Sequence, residues 1–200
     1  MASSEAPLKP RRGDALIVVD VQNDFLPGGA LGVAEGDEVI PVLNKYSNLF
    51  EKLDLPIVAT RDWHPENHCS FEAQGGPWPP HCVAGTEGAA FATKLDLHGD
   101  TKVVSKAETP GEEAYSGFQG TELDRWLKER GVNRLFVGGL ATDYCVRETV
   151  RDGLENGYEV VLLEDAVRAV NVDPADGEKA IAGMEKAGAV RTDFEHLAAA

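Results

Sequence analysis

Short apolar runs recur along this 200-residue chain at helix-length intervals: Ala15–Val21 (ALIVVDV), Pro56–Thr60 (PIVAT), Lys102–Ser105 (KVVS), Arg134–Val137 (RLFV) and Tyr158–Leu163 (YEVVLL). The first is apolar over Ala15–Val19 without alternation, as expected of a strand buried on both faces. The spacers carry helical signals. Asp37 can cap a helix reaching about Asp54, with Val39, Ile40, Leu43, Tyr46, Leu49 and Phe50 near helical spacing. Pro41 falls in its first turn, where a missing N–H does no harm. Thr121, with Asp124 three residues later and Gly131 at the far end, predicts a second helix. Two more are read at about Asp143–Asn156 and Pro174–Ala187, the last leading to a short strand near Ala189–Val190. Strands joined by helix-length connections call for right-handed crossovers and a parallel sheet covered on both faces. The expected fold is α/β, a three-layer α/β/α domain around a six-stranded, mainly parallel sheet. It spans residues 1–200 as a single unit, with 1–13 and 198–200 as flexible tails.

Composition narrows the function classes. The chain carries 19 basic against 34 acidic side chains, a formal net charge of -15. An acidic surface without Lys/Arg clusters argues against nucleic-acid or anionic-membrane partners. No apolar run approaches the ~18 residues of a membrane span, and the leading MASSEAPLKPRRGD has no apolar core of a secretory signal. A cytoplasmic location is expected. The three cysteines, Cys69, Cys82 and Cys145, are an odd number, which points away from a disulfide framework and toward a reactive thiol or a metal site.

Ligands of parallel sheets bind beyond the carboxyl ends of the strands, so functional side chains are expected there. Asp20 follows the first run. Alone it reads as a loop-start residue bonding backbone amides. Lys106 follows the third run and alone reads as a snorkelling surface residue. Cys145 follows the fourth run, in the first turn of the expected helix. Alone it reads as a small buried hydrophobe, but a helix N-terminus can stabilise its thiolate and pull its pKa down. The same amides can hold an oxyanion. Together the three supply a proton acceptor, a cation and a nucleophile, the set that acyl transfer through a thioester requires.

A second constellation follows the Pro56–Thr60 run. In extended chain, Asp62 and His64 point the same way and can share one ion. His81 offers a third donor, leaving open positions as catalytic metal sites do, and His68 is an additional candidate. Cys69 and Cys82 directly follow histidines, face the opposite way, and read as packing residues. Phe25 and Trp78 are either core aromatics or platforms for a flat ring.

Four segments in order then resemble one family: Asp20-Val-Gln-Asn-Asp-Phe25; Asp62-Trp-His64 with Trp78-Pro-Pro-His-Cys82; Ala114-Tyr-Ser-Gly-Phe118 after Lys106; and Gly139-Leu-Ala-Thr-Asp-Tyr-Cys-Val-Arg147. The chain is similar to the nicotinamidase/pyrazinamidase group of isochorismatase-like cysteine hydrolases. The resemblance implies hydrolysis of nicotinamide, and of pyrazinamide, to the acid and ammonia through a cysteine thioester, in NAD salvage. It implies Asp20, Lys106 and Cys145 as catalytic residues. It further implies a cis peptide at Leu140–Ala141, with an oxyanion hole from the backbone N–H groups of Ala141 and Cys145. One divalent ion (zinc, iron or manganese) would sit on Asp62, His64 and His81, and Phe25 and Trp78 would contact the ring. Ala107 departs from the pattern, where a glycine often follows the lysine, and Glu108–Glu113 lies in a family-variable segment. Other readings are an amidase for a different small amide or ureido acid, and a non-catalytic metal-binding interaction module. A homo-oligomer is left open.

Overall fold

The computed structural model describes residues 8–199, with side chains through Leu197. Six strands form one sheet: β1 (Asp14–Val19), β2 (Ile57–Asp62), β3 (Lys102–Lys106), β4 (Arg134–Leu140), β5 (Glu159–Arg168) and β6 (Val190–Thr192). Their order is β3-β2-β1-β4-β5-β6, and every neighbouring pair is parallel. Among the described residues five α-helices accompany them: α1 (Val39–Lys52), α2 (Leu123–Glu129), α3 (Arg147–Glu155), α4 (Asp176–Ala187) and α5 (Phe194–Ala199).

The alternation along β1 shows how the layers form. Leu16 and Val18 pack with Val39, Leu43, Tyr46 and Phe50 of α1 and Leu197 of α5. Ala15, Ile17 and Val19 face the other way, onto Leu123 and Leu127 of α2, Val150 of α3 and Met184 of α4. All six β1 residues are buried, so the unbroken apolar run reports a central strand with helices on both sides. The three-layer expectation holds, and the sheet is parallel throughout.

Local details differ from the sequence reading. Asp37 lies inside a 3-10 turn, Gly36–Glu38, and the N-cap position of α1 falls to Glu38; α1 begins at Val39. Thr121 does serve the next helix, its hydroxyl accepting the Leu123 amide at 3.2 Å. Asp124 instead accepts from Lys128 and from the Tyr158 hydroxyl. β5 runs five residues past Leu163, through Glu164 and Asp165. Asp165 is accommodated there because Tyr46 Oη donates to it at 2.9 Å and the Phe194 amide at 3.0 Å. The leading segment from Leu8 is tied to the body: Leu8 packs on the α1 face, and Lys9 O accepts from Arg134 at 3.1 Å. Residues 1–7 and Ala200, the rest of the expected tails, lie outside the described residues.

The strand order reverses between β1 and β4. From β1 the chain winds outward to β2 and β3; from β4 it winds the other way, to β5 and β6. Neighbouring strands whose connections leave in opposite directions open a crevice at their carboxyl ends. Gly139 permits close approach there: at φ +127° a Cβ would run into the Val19 carbonyl.

Candidate active site

Every side chain singled out at a strand end arrives at this crevice. β1 ends into Asp20, which sits in the left-handed region at φ 49°. β2 ends at Asp62 and β3 at Lys106. β4 leads through a cis Leu140–Ala141 peptide into a turn of π-helix, Thr142–Val146, which carries Cys145 and continues as α3. Cys145 therefore precedes the α-helix instead of occupying its first turn.

Lys106 connects the groups. Its Nζ is 2.9 Å from Asp20 Oδ2 and 3.6 Å from Cys145 Sγ, donates to the Ala114 carbonyl at 3.2 Å, and forms an ion pair with Asp62 Oδ1. All four side chains are buried. Burial lowers an ammonium pKa, but the Asp20 and Asp62 carboxylates outweigh it and hold Lys106 well above its ordinary value. Burial raises Asp62, yet Lys106 and His64 bring it well below the carboxylate range. At Asp20 burial prevails over the Lys106 charge and the carboxyl is raised, while the Thr60 hydroxyl donates to Oδ1 at 2.6 Å. Burial also pushes the Cys145 thiol well above its ordinary value, more than Lys106 draws it down. The helix-terminus expectation of a depressed thiol is thus reversed by desolvation. The Asp20 carboxylate, itself raised by burial, lies within 4.8 Å of the sulfur.

Asp62, His64 and His81 present donor atoms within 4.8 Å of one another. His64 Nδ1 faces the Ala107 carbonyl at 3.3 Å and His81 Nδ1 the Pro79 carbonyl at 2.8 Å. These contacts leave each Nε2 to bear a lone pair toward the cleft. His64 Nε2 is buried, 3.5 Å from Asp62 Oδ2, and has no hydrogen-bond partner among the described residues. Burial lowers the His81 pKa, favouring the neutral ring a metal needs. An orphaned buried nitrogen among one carboxylate and two imidazoles fits a divalent ion. The structure does not bring His68 to this set: Nδ1 is 2.7 Å from Ser70 Oγ and Nε2 is 3.0 Å from the Glu112 carbonyl. Its ring lies tilted against that of His64, with the centroids 4.1 Å apart.

Phe25 and Trp78 both line the cleft, a space of about 470 Å³ including its open mouth, with Cys145, Ala141 and the three metal-type donors. Trp78 Nε1 donates to Tyr115 Oη at 3.1 Å, and its ring meets Tyr144 edge-on at 5.3 Å. Cys82 is buried, consistent with packing, whereas Cys69 is half-buried.

Sequence reasoning missed the residues that hold the irregular segment 61–93 in place. Gln22 Nε2 donates to Asp62 O and to Ala89 O, and its Oε1 accepts the Asp62 amide, all at 2.8 Å. Asp24 Oδ2 accepts the Cys82 amide at 2.7 Å. Both lie in the Asp20–Phe25 segment, so three polar residues directly after a buried strand were the available signal.

The isochorismatase domain family matches residues 14–196. Nicotinamidase of Escherichia coli (strain K12) is 40% identical over 196 residues, covering 88% of this chain and 92% of that protein. Among solved structures, pyrazinamidase of Pyrococcus horikoshii in complex with zinc is similar at TM-score 0.88 and 52% identity, covering 91% of this chain and 99% of that one. A protein from L. infantum in complex with nicotinate matches at TM-score 0.88 and 39% identity, covering 96% and 98%. Fold and sequence agree: the chain belongs to the isochorismatase domain family, within its nicotinamidase/pyrazinamidase group.

Proposed function

We propose that this chain hydrolyses nicotinamide, and pyrazinamide with it, to the ring acid and ammonia, with Cys145 as nucleophile, as an enzyme of NAD salvage. The observation that carries the residue assignments is Lys106, whose one ammonium touches Asp20, Asp62 and Cys145. One ammonium thereby joins the proposed nucleophile, its proposed base and one of the metal-type donors.

Asp20 takes the Cys145 proton as sulfur attacks the carboxamide carbon. The raised basicity of Asp20 suits that task, since a base works best with a pKa near the working pH. Lys106 stabilises the thiolate as it forms. The carbonyl oxygen gains charge in the tetrahedral adduct, and the backbone N–H groups of Ala141 and Cys145 are assigned to hold it, a contact worth roughly 10²–10³ in rate. The C–N bond breaks as Asp20 returns the proton to nitrogen, releasing ammonia and leaving a thioester. Asp20 then takes a proton from water, which attacks the thioester. Collapse expels Cys145 sulfur, which regains its proton, and frees the acid.

Asp62, His64 and His81 would hold one divalent ion, which when bound supplies a Lewis-acid anchor for the ring. Zinc is the first choice, supported by the donor set and by the zinc of the Pyrococcus relative. Phe25 and Trp78 are assigned to the two faces of the ring, positioning the carbonyl carbon against sulfur. The free cysteines suit a reducing, cytoplasmic setting. No helix among the described residues is long and apolar enough to cross a membrane.

An ammonia assay on nicotinamide, with and without chelator, tests the reading. The untreated protein should release ammonia, chelation should reduce turnover, and zinc should restore it. Cys145→Ala should abolish release while metal content stays at the wild-type level. Full turnover by Cys145→Ala would remove the thioester route, and an inactive but metal-replete wild type would favour the interaction-module reading.

A further inference from the structure

The cleft contains one carboxylate that the mechanism leaves unused. Glu113 lies on the wall with Trp78, Tyr115 and Tyr144, and no ion pair among the described residues includes it. Its place is fixed. Oε1 accepts the Ala114 amide at 3.0 Å, and the surrounding backbone is held at four points. Pro110 O accepts from the Cys69 amide at 2.7 Å, Glu112 O faces His68 Nε2 at 3.0 Å, Glu113 O accepts from Gln119 Nε2 at 2.8 Å, and Ala114 O accepts from Lys106 at 3.2 Å.

Amide hydrolysis turns a neutral ligand into an anion, so a charge on the wall acts on the two very differently. At the floor, Asp20 and Asp62 share the single ammonium of Lys106. A dication on Asp62, His64 and His81 leaves that floor formally positive, which favours retention of a carboxylate. Glu113 counters this from the wall.

We propose that Glu113 sets the discrimination between amide and acid, its fixed charge repelling the carboxylate product from the cleft while leaving the neutral amide unaffected. This rests on the hydrolytic reading above and adds a residue that governs product release. The test is calorimetric titration of nicotinate and of nicotinamide into zinc-loaded Cys145→Ala protein, with and without Glu113→Gln. Glutamine keeps an oxygen for the Ala114 amide and loses only the charge. Nicotinate should bind about three- to tenfold tighter to the Glu113→Gln protein, with nicotinamide within about twofold. Molar salt should shrink the difference. Glu113→Asp, which restores the charge, should return the wild-type ratio. Equal changes for both ligands, or unmoved nicotinate affinity, would overturn the inference alone. Absence of ammonia release by the wild type, with neither ligand binding, would overturn the hydrolytic reading and this inference with it.

Discussion

Single side chains in this protein act through how many groups they satisfy at once. Asp143 stands beside the nucleophile turn, buried, and its two oxygens accept the amides of Val170 and Asn171, each at 2.9 Å. Val170 lines the cleft, so one carboxylate ties a cleft wall to the turn that bears Cys145. Asp143→Ala should cost about 2–3 kcal/mol, because two buried amides lose a charge-assisted acceptor. Denaturant unfolding would check this, and a loss under about 0.5 kcal/mol would mean water replaces the carboxylate. At this scale the sequence was informative about identity and poor about partners. Asp20, Lys106 and Cys145 were visible at strand ends, yet the thiol's raised pKa was not, because desolvation depends on what surrounds it in three dimensions. Ala107 shows a smaller case. It sits at φ 53°, the left-handed conformation that glycine adopts freely and an alanine only at a cost.

Among elements, the contact of α1 with β5 and α5 lends itself to measurement. Tyr46 on α1 donates to Asp165 on β5, which also accepts the first amide of α5. Burial and then the Asp165 charge raise the Tyr46 pKa above its ordinary 10.0. The folded state therefore keeps a proton that the unfolded chain releases above pH 10. That stabilisation is complete below pH 10 and is lost as pH rises toward the folded value. Tyr46→Phe should cost about 1 kcal/mol at neutral pH and flatten the fall of Tm with pH above 10. An unchanged alkaline slope would show that Tyr46 does not carry the effect. The same contact explains an element the sequence concealed. Charged Glu164 and Asp165 ended the apparent strand at Leu163, whereas β5 continues to Arg168 because Asp165 finds its donors on α1 and α5. Apolar runs mark strands only where both faces are dry.

For the whole molecule, the lower ends of β1 and β4 are joined by a buried ion pair far from the cleft in the chain's register. Arg134 Nη2 and Nε reach Asp14 Oδ2 at 2.7 Å and Oδ1 at 2.9 Å, and Arg134 also holds Lys9 O. Arg134→Leu leaves Asp14 buried without its cation and should cost about 3–5 kcal/mol. Adding Asp14→Leu should recover much of that loss, and thermal unfolding of both variants would decide it. The strand order around this pair was legible only as a class. Five apolar runs and a final short one, separated by helical spacers, dictated a doubly covered parallel sheet, since only such a sheet buries strands with no polar face. The sequence also contained, in order, every residue type needed for a thiol-dependent amidase with a metal site. Tertiary structure alone decided which groups meet: that the reversal lies between β1 and β4, that Lys106 is shared by Asp20, Asp62 and Cys145, that His68 is spent on Ser70 and Glu112, and that Glu113 lines the cleft outside any ion pair among the described residues. Periodicity and spacing are local properties of a chain. Distances between residues 40 or 120 positions apart, and the desolvation that sets their charges, exist only once the sheet has closed around them.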